Sequence, residues 1–554
     1  MRKILVFLLF PTLLFSQTTK TASKAMVVSA RVEASQIGSD IIKQGGNAFD
    51  AMIATQLALA VAYPYAGNIS GGGFMVYRMA DGKTGTLDFR EVAPIKASRD
   101  MFLDANGNVI EGKSTESALS IGVPGSVAAL FDVHAKFGSL PIEKLFAPAI
   151  ALARKGVVVT KHDFEHLQEY HNDIVRLNGK ETLLAQPFKT GDTIKYNALA
   201  ETLERISQNG RTEFYRGETA QKLVAHISKK GGIMTIDDLA AYETKWRDPL
   251  KFKYRKLDIV TMGPPSSGGI CLQQILAMIE PYDVKKLGHN STKFIQLLVE
   301  AERRSYADRN HFLGDPDFLQ LPLNEMQDKA YLKNRMKDFS FEKATKSSDV
   351  SHGDIVFSES DETTHFSIVD DKGNAVAVTT TLNGAFGSKL YCDELGFFLN
   401  NEMDDFSAKP GSPNMFGLTG TKANSIAPRK RMLSSMTPTI VEKDGKLFML
   451  LGSPGGSTII TSVLQTILNV YEFDMPMQKA VDQPRFHHQW LPDLVIMEPD
   501  RFDLKIIDAL KSKGYEIDQR FWSVLGKVDA IKIGPGGKRE SGADGRGDDS
   551  AVGF

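Results

Sequence analysis

The stretch SESDETTHFSIVDDKGNAVAVTTTLNGAFGS, residues 358–388, changes character at one point. Upstream, FEKATKSSDVSHGDIVFSESDE (341–362) is polar and poor in packing residues, the composition of a slack linker. Downstream, TTHFSIVD and AVAVTTTLN are β-rich runs joined by a DKGN turn, which predicts a hairpin. The linker thus runs straight into a core strand that begins with two threonines. A threonine hydroxyl is a poor nucleophile until a base accepts its proton, and a chain-terminal threonine carries that base as its own α-amine. An α-amine, with a pKa of about 7.7–8.0, suits the task; an internal amide nitrogen does not. The boundary therefore reads as a cleavage point between Glu362 and Thr363, with Thr363 as both processing residue and nucleophile. Strand propensity alone also places threonines at a strand start, so this reading needs support from other segments.

Acyl transfer requires backbone N–H donors that can approach an oxyanion closely, which glycine permits. GSPGGS (452–457) offers Gly455 and Gly456 between a predicted strand and a predicted helix. A substrate carboxylate calls for a guanidinium or hydroxyls, and Arg90 in DFRE and Ser434–Ser435 in MLSSM are candidates. A substrate ammonium calls for carboxylates, and Glu402 and Asp405 in NNEMDDFS fit. Taken together, these groups would recognise an amino acid by its α-amino and α-carboxylate ends. Each on its own has an ordinary structural explanation.

The rest of the chain narrows the class. At 554 residues, with 42% hydrophobic and 24% charged residues, it suits one large or two closely joined globular units. A formal net charge of −1 and the lack of a long Lys/Arg run speak against nucleic acid as a partner. MRKILVFLLFPTLLFSQTTK reads as a secretory leader with a cut after Ser16; the apolar run is short for a spanning helix and Pro11 interrupts it. Export to the periplasm or medium, with no stable membrane anchor, is the expectation. Two cysteines, Cys271 and Cys392, exclude a disulfide scaffold and leave open whether the two pair.

Residues 29–64 predict two helices separated by a GGN break, the second (48–62) apolar on nearly every face and hence buried. A glycine loop and a strand pair follow up to Arg90, then a mostly helical stretch from 140 to about 299 with a strand at 256–261. Strands return after 363, including a hairpin turned at DGK (444–446). Hairpins in both halves with helices between them predict an α+β layered architecture.

TTHFSIVDDKGNAVAVTTTLN, LNNEMDDFSAKPG, LSSMTPTIV, GSPGGS and PRFHHQWLPD, in this order, resemble the γ-glutamyltranspeptidase (glutathione hydrolase) family, as do GNISGGGF, DFREVAP, GVPGS and AERRSYADRNHFLGDP upstream. The resemblance implies an N-terminal-nucleophile hydrolase fold, a four-layer αββα sandwich. It also implies self-cleavage of the precursor into a large subunit (17–362) and a small subunit (363–554) that stay associated. The implied activity is transfer of the γ-glutamyl group of glutathione and related compounds to water, an amino acid or a peptide, with no metal or organic cofactor. Carried over by position, Thr363 is the nucleophile and Thr381 supports it. Asn383, Glu402 and Asp405 hold the donor's α-amino end; Arg90, Ser434 and Ser435 hold its α-carboxylate; Gly455 and Gly456 form the oxyanion hole. The segment KPGSPNMFGLTGTKANSIAPRKRMLSS is expected to form a lid, with Phe416 where several relatives have a tyrosine, so its contact to Asn383 lacks a hydroxyl. Readings to be separated from this one are a self-processing acylase on the same fold, of the cephalosporin acylase or poly-γ-glutamate-processing kind, and a non-catalytic glutamate-binding protein.

Other signals carry less. HDFEHLQEYH places His162 and His166 four apart, but lacks the glutamate of a zinc-binding H-E-x-x-H, and reads as a solvated helix. His487 and His488 are adjacent; in a strand they would point to opposite faces and could not share a metal. Arg546-Gly547-Asp548 and GPGGK (534–538) read as loops.

Overall fold

The computed structural model describes residues 18–352, 364–409, 415, 424–520 and 524–554. Its centre is a pair of seven-stranded antiparallel sheets. One runs, edge to edge, Ser550–Gly553, Met26–Ser29, Thr364–Val369, Ala375–Thr381, Gly72–Arg78, Thr84–Asp88 and Lys245–Arg247. The other runs Thr21–Ala22, Arg539–Gly542, Asp529–Ile533, Lys446–Gly452, Thr439–Lys443, Leu257–Thr261 and Leu250–Tyr254. Both sheets interleave strands from before and after residue 363.

Strand periodicity explains why they stack. In the first sheet Val27, Phe366, Ile368, Val376 and Val378 pack on one layer of helices, while Met26, Val28, Val369, Ala375 and Ala377 face the second sheet. Both faces of these strands are buried, so they read as nearly unbroken apolar runs. Leu450, Ile440, Val260 and Ile531 of the second sheet meet them, and its outer face packs on the helices Gly268–Ile279, Thr292–Phe312 and Thr458–Tyr471. The order is helices, sheet, sheet, helices, the expected αββα sandwich.

The helix Ala48–Ala62 is buried at every position and begins at an Asn47–Asp50 capping box, which satisfies N–H groups that this depth would otherwise strand. The hairpin Thr439–Lys443/Lys446–Gly452 turns at Asp444 and Gly445, both with positive φ, as a two-residue turn of matching twist requires.

One expectation needs correction. The polar run after Phe341 is not slack throughout, for its first part is docked by polar contacts. The backbone N–H groups of Thr345 and Ser347 donate to Glu300 and Asp493, and Trp490 donates to the carbonyls of Ser347 and Val350. Residues 353–363, and with them the Glu362–Thr363 bond, lie outside the described residues, as do residues 1–16, expected to be a leader, and Phe416. Among the described residues no helix is long and apolar enough to cross a membrane.

Candidate active site

The site forms where strands of both sheets end. Thr364 pairs with Thr380, and Thr381 closes the neighbouring ladder opposite Gly72. Behind these threonines Asn68 is a hub: its amide donates to the Ala66 and Thr381 carbonyls and to Thr380 Oγ1, and its Oδ1 accepts from Gly71 N and Ser126 Oγ. A Cβ on Gly71 would overlap the Thr381 carbonyl oxygen, so the glycine loop GNISGGG lets the chain pass behind the strand end. Thr381 Oγ1 accepts from Asn383 N at 2.7 Å, and Asn383 holds φ 72°, a left-handed conformation that asparagine tolerates. Asn383 Nδ2 donates to Asn401 O at 3.0 Å.

Beside Asn383 lies a dense charge cluster. Arg90, 1% exposed, forks to Glu402 and Asp405 and also donates to the carbonyls of Met432 and Leu433. Burial works against the guanidinium's charge, but Glu402 and Asp405 more than offset it and raise its pKa. Glu91 stands 3.8 Å from Arg90 and is fully buried; desolvation pushes its carboxyl up to about 8 and the Glu402 carboxyl well above the usual range. The two carboxyls are placed to share a proton. One cation thus faces three acids. Apart from that carboxyl pairing, no donor from another described residue reaches either oxygen of Glu91, Oε2 of Glu402 or Oδ1 of Asn383.

Ser434 and Ser435 follow Leu433 directly. Ser435 Oγ accepts from Arg309 Nη2 at 2.6 Å, while Arg309 Nε donates to Ser267 Oγ and Ser434 O accepts from Ser267 N. Gly455 and Gly456 lie in the turn between the strand Lys446–Gly452 and the helix Thr458–Tyr471, with φ 118° and 70°. A Cβ on Gly455 would come within 2.8 Å of Gly526 Cα. Neither glycine N–H has an acceptor among the described residues. Upstream, His365 lies between the sheets against Gly452, bonded to Thr379 and Ser367; burial lowers its pKa to about 3, so it is neutral.

The structure therefore gathers Arg90, Glu402 and Asp405 into one cluster, sets Asn383 and Ser434–Ser435 along its rim, and puts Gly455–Gly456 at a neighbouring strand end. Sequence reasoning missed Asn68, Glu91 and Arg309. Glu91 was adjacent to a chosen residue, whereas Asn68 and Arg309 carried no signal until their partners were known. Met415, the one described residue between 410 and 423, packs on the rim with its sulfur 3.8 Å from Asn401 Nδ2.

The weaker signals resolve structurally. His166 stacks on Tyr65 at 4.0 Å, and burial lowers its pKa to about 4, so its helix is amphipathic rather than solvated all round. His162 pairs with Asp548, and Arg546 with Asp544 and Glu498, so the Arg-Gly-Asp tripeptide is tied into the fold. His487 meets Thr461 and His488 meets Asp493, on opposite sides of the chain. Cys271 and Cys392 are free and buried in different core clusters. The described residues contain no group of His, Cys, Asp and Glu that could hold a metal ion.

Two stacked antiparallel sheets between helix layers, with Thr364, Thr380 and Thr381 at one strand end and Gly455–Gly456 after another, give the architecture of the N-terminal-nucleophile hydrolases. Comparison with known proteins resolves the class further. The family model for gamma-glutamyltranspeptidase matches residues 34–554, and the chain belongs to that family. It is 44% identical over 538 residues to the glutathione hydrolase proenzyme of Escherichia coli (strain K12), covering 96% of this chain and 92% of that one. It is 33% identical to the acylase ACY 1 proenzyme of Pseudomonas sp. (strain V22), over 96% of this chain and 94% of the other. Among solved structures, cephalosporin acylase from Bacillus halodurans superposes with a TM-score of 0.86 at 24% identity, over 97% of both chains, a likeness of fold.

Proposed function

We infer that the protein is a self-processing γ-glutamyltransferase and glutathione hydrolase, which cleaves the γ-glutamyl amide of glutathione and related compounds and passes the γ-glutamyl group to water, an amino acid or a peptide. The observation that carries the substrate class is the buried cluster of one guanidinium with three acids, in which acceptor oxygens of Glu91, Glu402 and Asn383 need donors beyond the one proton that the Glu91–Glu402 pairing supplies. An α-ammonium group supplies them, and the adjoining Arg90, Ser434 and Ser435 suit an α-carboxylate. An acyl chain without the amino group would leave the acceptors bare, which favours γ-glutamyl donors over the glutaryl side chains an acylase would take.

In the proposed mechanism the bond between Glu362 and Thr363 is cut by the Thr363 hydroxyl through an N-to-O acyl shift completed by water, which frees the Thr363 α-amine. That amine then takes the proton as Thr363 Oγ attacks the γ-amide carbonyl. Gly455 and Gly456 N–H groups stabilise the oxyanion, the leaving amine departs protonated, and water or an acceptor amine releases the γ-glutamyl ester. The strand that follows supports the choice of glycines: His365, Ser367 and Val369 face the second sheet, where Gly452 leads into Gly455 and Gly456. Thr381, next to the Thr364–Thr380 pair, would brace the nucleophile. The leader at 1–16 would direct the precursor out of the cytoplasm.

Intact mass and N-terminal sequencing of wild type beside Thr363→Ala test the proposal. A second chain beginning Thr-Thr-His-Phe in wild type, absent from an uncut and inactive mutant, is expected. An uncut wild type that still hydrolyses γ-glutamyl amides would refute the α-amine base, and a donor panel that prefers glutaryl to γ-glutamyl amides would move the protein to the acylases.

A further inference from the structure

The motifs AERRSYADRN and PRFHHQ have no role in the mechanism above, yet both converge on the turn that carries Gly455 and Gly456. The helix Thr292–Phe312 carries Glu302, Tyr306 and Arg309 at spacings of four and three, which puts them on one face. Each grips a different part of the site's frame. Glu302 Oε2 accepts from His488 N at 3.0 Å, Tyr306 OH donates to the Ser457 carbonyl, and Arg309 donates to Ser435 Oγ.

Ser457 directly follows Gly456 and precedes the helix Thr458–Tyr471. Its hydroxyl donates to Gln489 Oε1 at 2.5 Å, and the same oxygen lies 3.0 Å from His487 Nε2. His487 Nδ1 is 3.0 Å from Thr461 Oγ1, one turn into that helix, and the Tyr306 ring meets the imidazole edge-on at 5.5 Å. The bonds fix their own directions. Gln489 Oε1 can only accept, so His487 carries its proton on Nε2 and presents Nδ1 as an acceptor to Thr461 Oγ1, whose hydroxyl also reaches the Thr458 carbonyl at 3.1 Å. Ser457 is thereby held at its carbonyl by one element and at its hydroxyl by another, all of them buried.

We propose that Tyr306 and Gln489 are positioning residues for the oxyanion hole: clamping Ser457, they fix the direction of the Gly455 and Gly456 N–H groups. The proposal rests on the assignment of the oxyanion hole to those glycines. A peptide with positive φ at two successive glycines has wide freedom, and the following residue is where that freedom can be removed. Arg309, one turn further along the same helix face, aligns the carboxylate-binding hydroxyl of Ser435 in the same way. A single helix would thus set the distance between the substrate's head group and the oxyanion donors.

The test is steady-state kinetics of Tyr306→Phe, Gln489→Met and Arg309→Lys with a γ-glutamyl amide donor, counted per cleaved molecule, with free glutamate as a competitive ground-state ligand. Tyr306→Phe and Gln489→Met should lower kcat about ten- to a hundredfold, less than loss of a whole donor, with KM and glutamate inhibition within twofold of wild type. Arg309→Lys should instead raise KM and weaken glutamate inhibition. Should a variant fail to accumulate as a folded, cut protein, Ser457→Ala deletes only the clamped hydroxyl and carries the same kcat expectation. Folded variants that keep wild-type kcat, or that change KM alone, overturn the clamp. Gly456→Ala in the same assay separates the two layers: full activity there removes the oxyanion assignment itself, whereas its inactivity beside fully active clamp variants removes only the clamp.

Discussion

At the scale of single residues, the Arg90 cluster shows how charges buried this deeply are held by one another. Arg90 occupies itself with Glu402 and Asp405, so the buried charges are paired before any ligand arrives. Replacing such a fork with a point charge is not conservative, because lysine cannot address two acids at fixed angles. Arg90→Lys should raise KM for a γ-glutamyl donor at least tenfold, with a smaller change in kcat, measured by initial rates. Its thermal midpoint should also fall, since a half-broken buried pair is costly, about 3–5 kcal/mol when one partner is removed outright. The residue types were legible in DFRE and NNEMDDFS, but their partnership was not. Arg90 and Glu402 lie 312 positions apart, and only the folded loops bring them together.

At the scale of elements, legibility followed hydropathy. The helix Ala48–Ala62 and the hairpin at Asp444–Gly445 stood out because apolar composition and turn chemistry are local properties. The strands Lys245–Arg247 and Leu250–Tyr254 fell inside a stretch read as helical, since at sheet edges exposed Trp246, Lys251 and Lys253, with half-buried Lys245 and Arg247, hide the apolar signal. The run after Phe341 was misread for a related reason: it is anchored by backbone bonds to Glu300, Asp493 and Trp490, which leave no trace in its own composition. The glycine loop yields a sharp expectation. A methyl group on Gly71 must displace the end of the strand Ala375–Thr381, so Gly71→Ala should cut turnover more than tenfold and cost about 1–3 kcal/mol in urea unfolding, in the manner of an overpacked core.

At the scale of the whole molecule, both sheets weave strands from either side of residue 363, so cleavage there would divide the chain without dividing the core. The two products should co-purify and unfold in a single calorimetric transition. That stability should depend on pH with a definite sign. Burial lowers His365 and His487 to about 3 and His488 to about 4, below the ordinary value near 6.5. The unfolded chain therefore binds more protons between those values, and stability is lost as pH falls through that window. Each histidine contributes up to about 1.4 kcal/mol per pH unit. Carboxyls raised by burial, Asp404 and Asp549 to about 6, act in the opposite sense over part of the range. Urea midpoints taken from pH 7 to 4 should fall, and His365→Gln should flatten the slope. The strand order has one more consequence. Ser550–Gly553 pairs with Met26–Ser29, which pairs with Thr364–Val369, and the Phe554 carbonyl accepts from Lys24 N. The two ends of the described chain therefore lie side by side, a few residues' reach apart. A circularly permuted gene, with those ends joined by a short linker and translation begun at Met-Thr363, would deliver the proposed nucleophile as a true amino terminus once the initiator is trimmed. Such a protein would need no self-cleavage, and so would let catalysis be studied in variants that can never mature.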